Sequence, residues 1–274
     1  ACTLSAGMSM FGPMNPPINS WQGKVVWVVG GSTGIGQAVA ESLVQQGAHV
    51  VVSARTLAPL EAFVETNGSA VASAIALDVT NPQSCNDAAQ AIWQRHGQVD
   101  LVLFAAGTYK ALRATEFDLQ VMTQHLQVNV QGAYNVLAAI MPKLMVQTNA
   151  GHSGHISLIS SVAGWSGLPN SLAYGPTKAA LTHLGEVLYL DLAKTGLGVS
   201  VVHPGFVATP LTAQNDFHMP ALITPHAAAQ AMLKGWAQGE FDIHYPKRFT
   251  LWLKLIRLLP YRVAQALILK ATKL

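Results

Sequence analysis

A tyrosine and a lysine stand four positions apart in the run YGPTK, as Tyr174 and Lys178, and Ser161 lies thirteen positions before the tyrosine. Residues four apart share a face of a helix, so the phenol and the ammonium could together form a proton donor that works near neutral pH. Ser161 ends the run HISLISS, which is typical of a buried strand. A pair of this kind is often only a solvated helix face, so its meaning depends on the residues around it.

The elements that would position these residues alternate along the chain between short β-branched runs and longer helical patterns. This alternation predicts an α/β fold of the Rossmann type, in which a doubly wound parallel sheet of about seven strands forms the middle of three α/β/α layers. The predicted strands are 25–29, 49–53, 74–77, 100–104, 155–160, 199–202 and 242–245. The predicted helices are about 35–46, 57–66, 83–96, 119–147, 173–195 and 226–238.

A glycine-rich loop follows the first predicted strand directly, in the run VVGGSTGIG. Glycines there allow the chain to turn, to approach a ligand closely and to start a helix, whose backbone N–H groups would bind a pyrophosphate. Glycines alone would be a weak signal, but their place between a strand and a helix makes it strong. We therefore expect this loop to bind a dinucleotide through Gly30, Ser32, Thr33, Gly34, Ile35 and Gly36.

The end of the second strand indicates which dinucleotide binds. The run VVVSART has Arg55 and Thr56 where a carboxylate would otherwise bind both ribose hydroxyls of NAD. A guanidinium and a hydroxyl suit a 2′-phosphate, so NADP(H) is the preferred cofactor and NAD(H) the alternative. Further along, Asp78 could accept a hydrogen bond from the adenine amino group, or it could cap a turn. We expect Asp78 and the adjacent Val79 to line the cofactor site.

From about Lys24 to Tyr245 these motifs, in order and spacing, resemble the short-chain dehydrogenase/reductase family. The resemblance makes Asn129, in the run VNV, a fourth catalytic residue beside Ser161, Tyr174 and Lys178. It also adds three cofactor-binding positions after the fourth strand and four in the run HPGFVATP, where the family holds the nicotinamide carboxamide. These positions are Ala105, Ala106, Gly107, Pro204, Gly205, Val207 and Thr209.

The resemblance implies that the chain is an NADP(H)-dependent oxidoreductase that interconverts a carbonyl and an alcohol. Tyr174 would pass a proton to the carbonyl oxygen while NADPH delivers hydride, and Ser161 would hold that oxygen. We expect the charges of Lys178 and of the nicotinamide to lower the pKa of Tyr174 from its ordinary value of about 10. Asn129 would position a water that links Lys178 to solvent.

Three positions depart from the family pattern. Val29 replaces the threonine that usually opens the glycine loop, which removes a side-chain bond to the fourth strand. Phe104 and Ala105 replace the asparagines usual after that strand, which removes polar contacts to the cofactor. Pro176 deletes a helix N–H two residues after Tyr174, and this loss is tolerable only in a first turn. We therefore expect that helix to begin close to Tyr174.

Two other classes of function remain open from the sequence. The chain could bind NADP(H) as a sensor or scaffold without efficient turnover, although the complete set of four catalytic residues argues against this. It could also be a nucleotide-sugar epimerase, but proteins of that class are longer and carry a sizeable C-terminal substrate domain. No metal site is expected, because no carboxylate stands at ligand spacing beside His152 and His155.

The composition of the 274 residues limits the partners and the compartment. Charged residues make up 11% of the chain and the net charge is +3, so nothing suggests a nucleic-acid footprint. The only cysteines, Cys2 and Cys85, form neither a disulfide framework nor a metal motif, which fits the cytoplasm. We expect a flexible tail at 1–23, a single catalytic domain at 24–246 and a helical extension at 247–274.

The extension at 247–274 is both apolar and basic. Thr250, Lys254 and Arg257 share one helical face, leucines and a tryptophan cover the rest, and Pro260 breaks the segment before a second helix. Two readings stay open: a peripheral membrane anchor, or an apolar face that docks against the substrate cleft or a second subunit.

The substrate and the assembly are expected to follow from two further features. The segment 210–225 carries several apolar residues and would form a lid over an apolar carbonyl or alcohol substrate. Family resemblance also implies a homodimer or homotetramer packed through the helices at about 119–147 and 173–195.

Overall fold

The computed structural model describes residues 12–215, 217 and 219–272, and its centre is a seven-stranded, all-parallel sheet. The strands pair in the order β3-β2-β1-β4-β5-β6-β7, so the direction of winding reverses between β1 and β4. This order confirms the predicted Rossmann-type α/β fold. The strands are β1 (Val25–Val29), β2 (His49–Ala54), β3 (Ala72–Ala76), β4 (Leu101–Phe104), β5 (Gly154–Ile159), β6 (Leu197–Pro204) and β7 (Asp242–Tyr245).

Helices lie on both faces of the sheet because each crossover between parallel strands must return over it. Two 3₁₀ turns, Ala114–Glu116 and Val162–Gly164, and one π-helical turn, Leu126–Gln131, complete the regular structure of the described residues. The α-helices are α1 (Gly34–Gln45), α2 (Ala58–Asn67), α3 (Pro82–His96), α4 (Leu119–His125), α5 (Gly132–Asn149), α6 (Tyr174–Leu192), α7 (Pro225–Ala237), α8 (Lys247–Arg257) and α9 (Tyr261–Thr272).

The observed elements depart from the predicted ones mainly at a single place. The long helix expected at 119–147 is divided into α4, the π-helical turn and α5. The spacing of apolar residues is helical throughout this stretch. A π-helical turn within it therefore could not be predicted from that spacing. β3 begins two residues before its predicted start, and β6 extends to residues 197–204.

The core has two large apolar clusters, one on each face of the sheet, and a small third cluster beside them, so the central strands are buried on both sides. All five residues of β1 are buried, and its fully buried Trp27 donates its indole N–H to Ser53 Oγ at 3.0 Å. A continuous β-branched run is what a strand covered on both faces requires. This burial holds the ends of β1 and β4 rigidly beside each other, where a ligand cleft is expected in such sheets.

Part of the segment expected to be a loose tail at 1–23 packs against the domain. Asn15 is buried, accepts a hydrogen bond from Val199 N–H at 2.9 Å and donates one to Val199 O at 2.8 Å. Trp21 is buried against Trp236. These contacts satisfy the backbone of β6 before the point where its pairing with β7 begins, and they cover apolar surface, so residues 12–23 belong to the folded unit. The remainder of the expected tail, 1–11, lies outside the described residues.

The C-terminal segment forms two helices that meet at Pro260, as expected from the sequence. α8 packs against β7 and α9 packs against α8. In the described part of the chain, no helix combines the length and the apolar character needed to cross a membrane.

Candidate active site

A single cleft at the carboxyl ends of the strands collects the predicted site residues. Among the predicted catalytic residues, Ser161, Tyr174 and Lys178 line it, and Asn129 lies behind its wall. Every predicted cofactor residue also lines it: Gly30, Ser32, Thr33, Gly34, Ile35, Gly36, Arg55, Thr56, Asp78, Val79, Ala105, Ala106, Gly107, Pro204, Gly205, Val207 and Thr209. Residues from seven separate stretches of sequence therefore converge on one surface.

The glycine loop is shaped by close contact between backbone segments. Gly30 has a φ of +92°, and a Cβ there would lie 2.5 Å from the backbone nitrogen of Ala106. A Cβ on Gly36 would lie 2.2 Å from Gly30 O. Side chains at either position would displace the loop, so glycine is required at both. Ala105 N–H donates to Val29 O at 2.7 Å, which ties this loop to β4 without the threonine side chain that Val29 replaces.

The loop also presents the start of α1 to the cleft. Thr33 precedes the helix in an extended conformation, and its side chain makes no capping hydrogen bond. The first N–H groups of α1 therefore point toward the cleft without a side-chain acceptor from Thr33, which is the arrangement that accepts a phosphate. Arg55 and Thr56 lie exposed at the rim of the same cleft. The residues present thus fit a nicotinamide dinucleotide.

Asp78 caps a turn. Its Oδ1 accepts hydrogen bonds from the N–H of Thr80 at 2.9 Å and from the Thr80 hydroxyl at 2.8 Å. These two bonds lower the pKa of Asp78 and outweigh the opposing effect of burial, and the Arg55 charge lowers it further. Of the two roles that the sequence allowed, the turn cap is the one formed by protein contacts.

Lys178 lies one turn into α6, beside the ring of Tyr174. Its Nζ is 5.4 Å from the centre of that ring and donates a hydrogen bond to Ile159 O at 2.8 Å. Burial lowers the pKa of Lys178 to about 7. The side chain can therefore gain or lose a proton near neutral pH. As expected, α6 begins at Tyr174, so Pro176 falls in its first turn.

The hydroxyl of Tyr174 has a pKa above that of a free tyrosine. Burial raises the pKa of Tyr174, a hydrogen bond with Ser161 partly opposes this, and Tyr109 raises it further. The Tyr109 ring lies edge-on to Tyr174, with centroids 5.1 Å apart. The protein groups alone therefore raise this pKa, whereas the expected lowering was assigned to Lys178 together with the nicotinamide charge. The phenol is largely withdrawn from water, while the Lys178 ammonium donates to Ile159 O and itself loses charge on burial.

Asn129 joins two walls of the site from within the π-helical turn. Its Oδ1 accepts a hydrogen bond from Thr108 N–H at 2.7 Å, and its Nδ2 donates to Thr108 O at 3.1 Å and to Thr177 Oγ1 at 3.0 Å. The wider turn places this buried amide between the segment after β4 and the catalytic helix. Its expected part in a water-linked proton path stays a prediction.

Sequence reasoning missed the residues that hold α6 in place. Ser160 Oγ donates to Lys178 O at 2.7 Å and contacts Thr182 Oγ1 at 2.8 Å. Gly164 permits this contact, because a Cβ there would lie 2.8 Å from Lys178 O. The paired serines of HISLISS were a visible signal, and the structure assigns the second to the cleft surface and the first to the helix behind it.

A buried polar chain continues from Thr182 toward the C-terminal helices. Thr182 Oγ1 lies 3.0 Å from His203 Nε2, and His203 Nδ1 lies 2.7 Å from Asp242 Oδ1. The other oxygen of Asp242 pairs with Lys254 of α8. Burial alone would raise the pKa of Asp242, but the hydrogen bonds and charges of His203 and Lys254 hold it well below its usual value. α8 is therefore connected to the helix that carries Tyr174 and Lys178.

Comparisons with known proteins agree with this geometry. The family model described as short chain dehydrogenase matches residues 24–219. An uncharacterized oxidoreductase of Myxococcus xanthus (strain DK1622) is 32% identical over 235 residues, which is 85% of this chain and 91% of that protein. The chain therefore belongs to the short-chain dehydrogenase family of oxidoreductases.

Two solved structures share the fold. A short-chain dehydrogenase/reductase from Burkholderia phymatum, in complex with NAD, is 23% identical with a TM-score of 0.79, over 87% of this chain and 94% of that one. A short-chain dehydrogenase from Burkholderia cenocepacia, in complex with NADP, is also 23% identical with a TM-score of 0.79, over 91% and 99%. These two neighbours therefore show the fold that this chain shares with them.

Proposed function

We propose that the protein is an NADP(H)-dependent oxidoreductase that interconverts a carbonyl and an alcohol. The observation that carries this proposal is the convergence of Ser161, Tyr174 and Lys178 at one end of a cleft whose remaining walls fit a dinucleotide.

In this mechanism Tyr174 is the acid that donates its hydroxyl proton to the carbonyl oxygen. NADPH, held by the glycine loop and Arg55, would supply hydride to the carbonyl carbon. Ser161, which hydrogen-bonds with Tyr174, holds the same oxygen and keeps the phenol aimed at it. Lys178 returns the proton to Tyr174, because its pKa of about 7 allows both of its states near neutral pH. Asn129 keeps the helix that carries both groups at a constant distance from the segment after β4.

The preference for NADP(H) rests on Arg55 and Thr56 at the rim of the cleft. A guanidinium at this position can form charge-assisted hydrogen bonds to a 2′-phosphate. Asp78 is engaged by Thr80, and no other carboxylate lines the cleft in the described part of the chain. NAD(H) would therefore lack the acidic partner that its ribose usually receives.

An apolar substrate is favoured by the loop that follows β6. Phe206 and Phe217 of this loop pack edge to face, with centroids 5.9 Å apart, and Leu211 lines the cleft. The loop is fastened to the opposite wall through Tyr109, whose hydroxyl donates to Asn215 Oδ1 at 2.9 Å. Burial of an apolar substrate under these side chains would drive its binding.

We also propose a homo-oligomer, either a homodimer or a homotetramer. The long helices α5 and α6 expose large apolar side chains that an interface would cover, namely Tyr134, Val146, Val187 and Leu190. Clusters of exposed apolar residues of this kind often mark protein interfaces.

The central test is NADPH oxidation with carbonyl substrates graded by chain length and polarity, using the wild-type chain and Tyr174→Phe. We expect Tyr174→Phe to lose turnover by a factor of roughly a thousand or more while it still binds NADPH in a fluorescence titration. Tyr134→Phe is the matched control, because Tyr134 is exposed on α5, and it should keep full activity.

Two results would change the assignment. Retained turnover in Tyr174→Phe would remove Tyr174 from the mechanism. NADPH binding without turnover on any carbonyl or alcohol would favour the alternative of an NADP(H)-binding sensor or scaffold.

A further inference from the structure

α8, the first of the two C-terminal helices, has an inverted polarity. A helix on a protein surface normally turns its apolar face inward, but α8 turns its polar residues Thr250 and Lys254 toward the domain. Thr250 is fully buried, and its Oγ1 lies 2.7 Å from His244 Nδ1. Lys254 pairs with Asp242 and lies 5.2 Å above the Trp165 ring. Of the polar face predicted from the sequence, Thr250 and Lys254 therefore pack against the domain, whereas Arg257 is exposed.

The opposite faces of α8 and α9 present large apolar side chains to solvent. Trp252 is 68% exposed, Leu258 82% and Tyr261 84%. The other large apolar residues exposed on these helices are Leu251, Leu255, Leu259, Val263, Leu267 and Leu269. The apolar face is therefore not used to cover the cleft, which was one of the readings that the sequence left open.

Positive charge accompanies this apolar face. Residues 247–274 contain seven Lys and Arg and no Asp or Glu, whereas the rest of the chain has nine Lys and Arg and 13 Asp and Glu. Among the residues that the structure describes, Arg248, Arg257, Arg262 and Lys270 form no ion pair, and all four are exposed. The basic end would be drawn to an anionic surface that the acidic remainder would avoid.

From this combination we propose that α8 and α9 attach the protein to an anionic lipid bilayer surface. The helices, of 11 and 12 residues, would lie in the interface, with tryptophan, tyrosine and leucines at the acyl boundary and arginines at the headgroups. A protein partner of neutral or basic surface would not explain the seven cations, and a second copy of this chain would bring seven more of the same sign to the contact.

The inner side of α8 packs against a wall of the cleft. Phe249, on the inner side of α8, packs against Phe206 with centroids 5.8 Å apart, and a Cβ on Gly205 would lie 2.9 Å from its ring. Gly205 lines the cleft. α8 therefore forms the outer support of a cleft wall, and bilayer attachment would bring the loop after β6 close to the lipid.

The test is co-sedimentation of the full chain with vesicles of phosphatidylcholine alone or mixed with phosphatidylglycerol. We expect binding to the mixed vesicles that is roughly tenfold stronger than binding to phosphatidylcholine alone and that weakens with salt. Arg248→Glu/Arg262→Glu should reduce binding by roughly tenfold or more. Lys194→Glu/Lys234→Glu changes the charge equally at exposed positions elsewhere and should leave binding unchanged.

A second pair of variants tests the apolar contribution. Trp252→Ser/Leu258→Ser should lose binding, whereas Phe117→Ser/Leu119→Ser, at residues with similar exposure, should not. Unchanged NADPH binding in all variants would show that they are folded, and it separates this proposal from the proposed activity. Absence of vesicle binding by the wild-type chain would overturn the proposal. So would a change of oligomeric state in the Trp252 variant without any effect on vesicle binding, because a second copy would then cover the face.

Discussion

Asn129 and Thr177 form the hydrogen bond that joins the π-helical turn to the catalytic helix, with Asn129 Nδ2 donating to Thr177 Oγ1 at 3.0 Å. The same Thr177 hydroxyl donates to Tyr174 O at 2.7 Å. One buried threonine thus connects the amide of Asn129 to the first turn of α6, next to Lys178. This connection depends on the π-helical turn, which sets the position of Asn129.

Thr177→Val should weaken the protein and slow its turnover, because it leaves the buried Asn129 amide without this acceptor. A buried polar group that loses its partner costs about 1 to 3 kcal/mol of the free energy of unfolding. Thr177→Ser keeps the hydroxyl and should remain close to the wild type. Urea unfolding and NADPH oxidation would check both variants, and equal behaviour of the two would show that the hydrogen bond has no role.

Gly164→Ala should disturb the position of Lys178. The added Cβ would lie 2.8 Å from Lys178 O and 2.7 Å from Ser160 Oγ, so α6 must move away. Such overpacking costs about 1 to 3 kcal/mol, and we expect kcat to fall with it. Gly167→Ala is the control, since nothing lies within 4 Å of its added Cβ. Thermal unfolding and steady-state kinetics would distinguish them, and a Gly164 variant as stable and active as the control would contradict the prediction.

Arg55→Glu should reverse the cofactor preference. Loss of a charge-assisted hydrogen bond and repulsion of the 2′-phosphate should weaken NADPH binding by roughly tenfold to a hundredfold, while NADH binding stays the same or improves. Fluorescence titration with both cofactors would measure the ratio. Arg113→Glu, at an exposed position outside the cleft lining, controls for net charge. If the two variants bind NADPH equally well, Arg55 does not select the cofactor.

Lys178 should make the stability of the protein rise with pH above neutrality. Its pKa is lowered from 10.5 to about 7 in the folded state, so between these values the unfolded chain binds the additional proton. The free energy of unfolding therefore increases as pH rises through this window, by about 2 kcal/mol between pH 7 and 9.

Lys178→Met removes this proton and should remove the corresponding rise. Urea unfolding of both chains at pH 7, 8 and 9 gives the difference directly. Above pH 10 the raised pKa of Tyr174 acts in the opposite direction, because the folded state then retains the proton that the unfolded chain loses. A difference between the chains that stays constant from pH 7 to 9 would mean that Lys178 keeps an ordinary pKa.

Local patterns in the sequence were sufficient to predict the fold class and the residues that line the cleft. β-branched runs, helical periodicity and the glycine loop are local patterns, and they place Gly30, Arg55, Ser161 and Tyr174 at the ends of elements. Because the carboxyl ends of parallel strands meet at one edge of a sheet, these ends had to converge there.

The pKa values, positions and orientations of these groups depend on tertiary contacts. The pKa of Tyr174 depends on how fully its hydroxyl is buried, and the position of Asn129 depends on a π-helical turn that helical periodicity does not reveal. The orientation of α8 depends on polar partners at His244 and Asp242, which hold Thr250 and Lys254 inward and leave the apolar face exposed. Burial, hydrogen bonding and docking are relations between residues distant in the chain, so no local pattern records them.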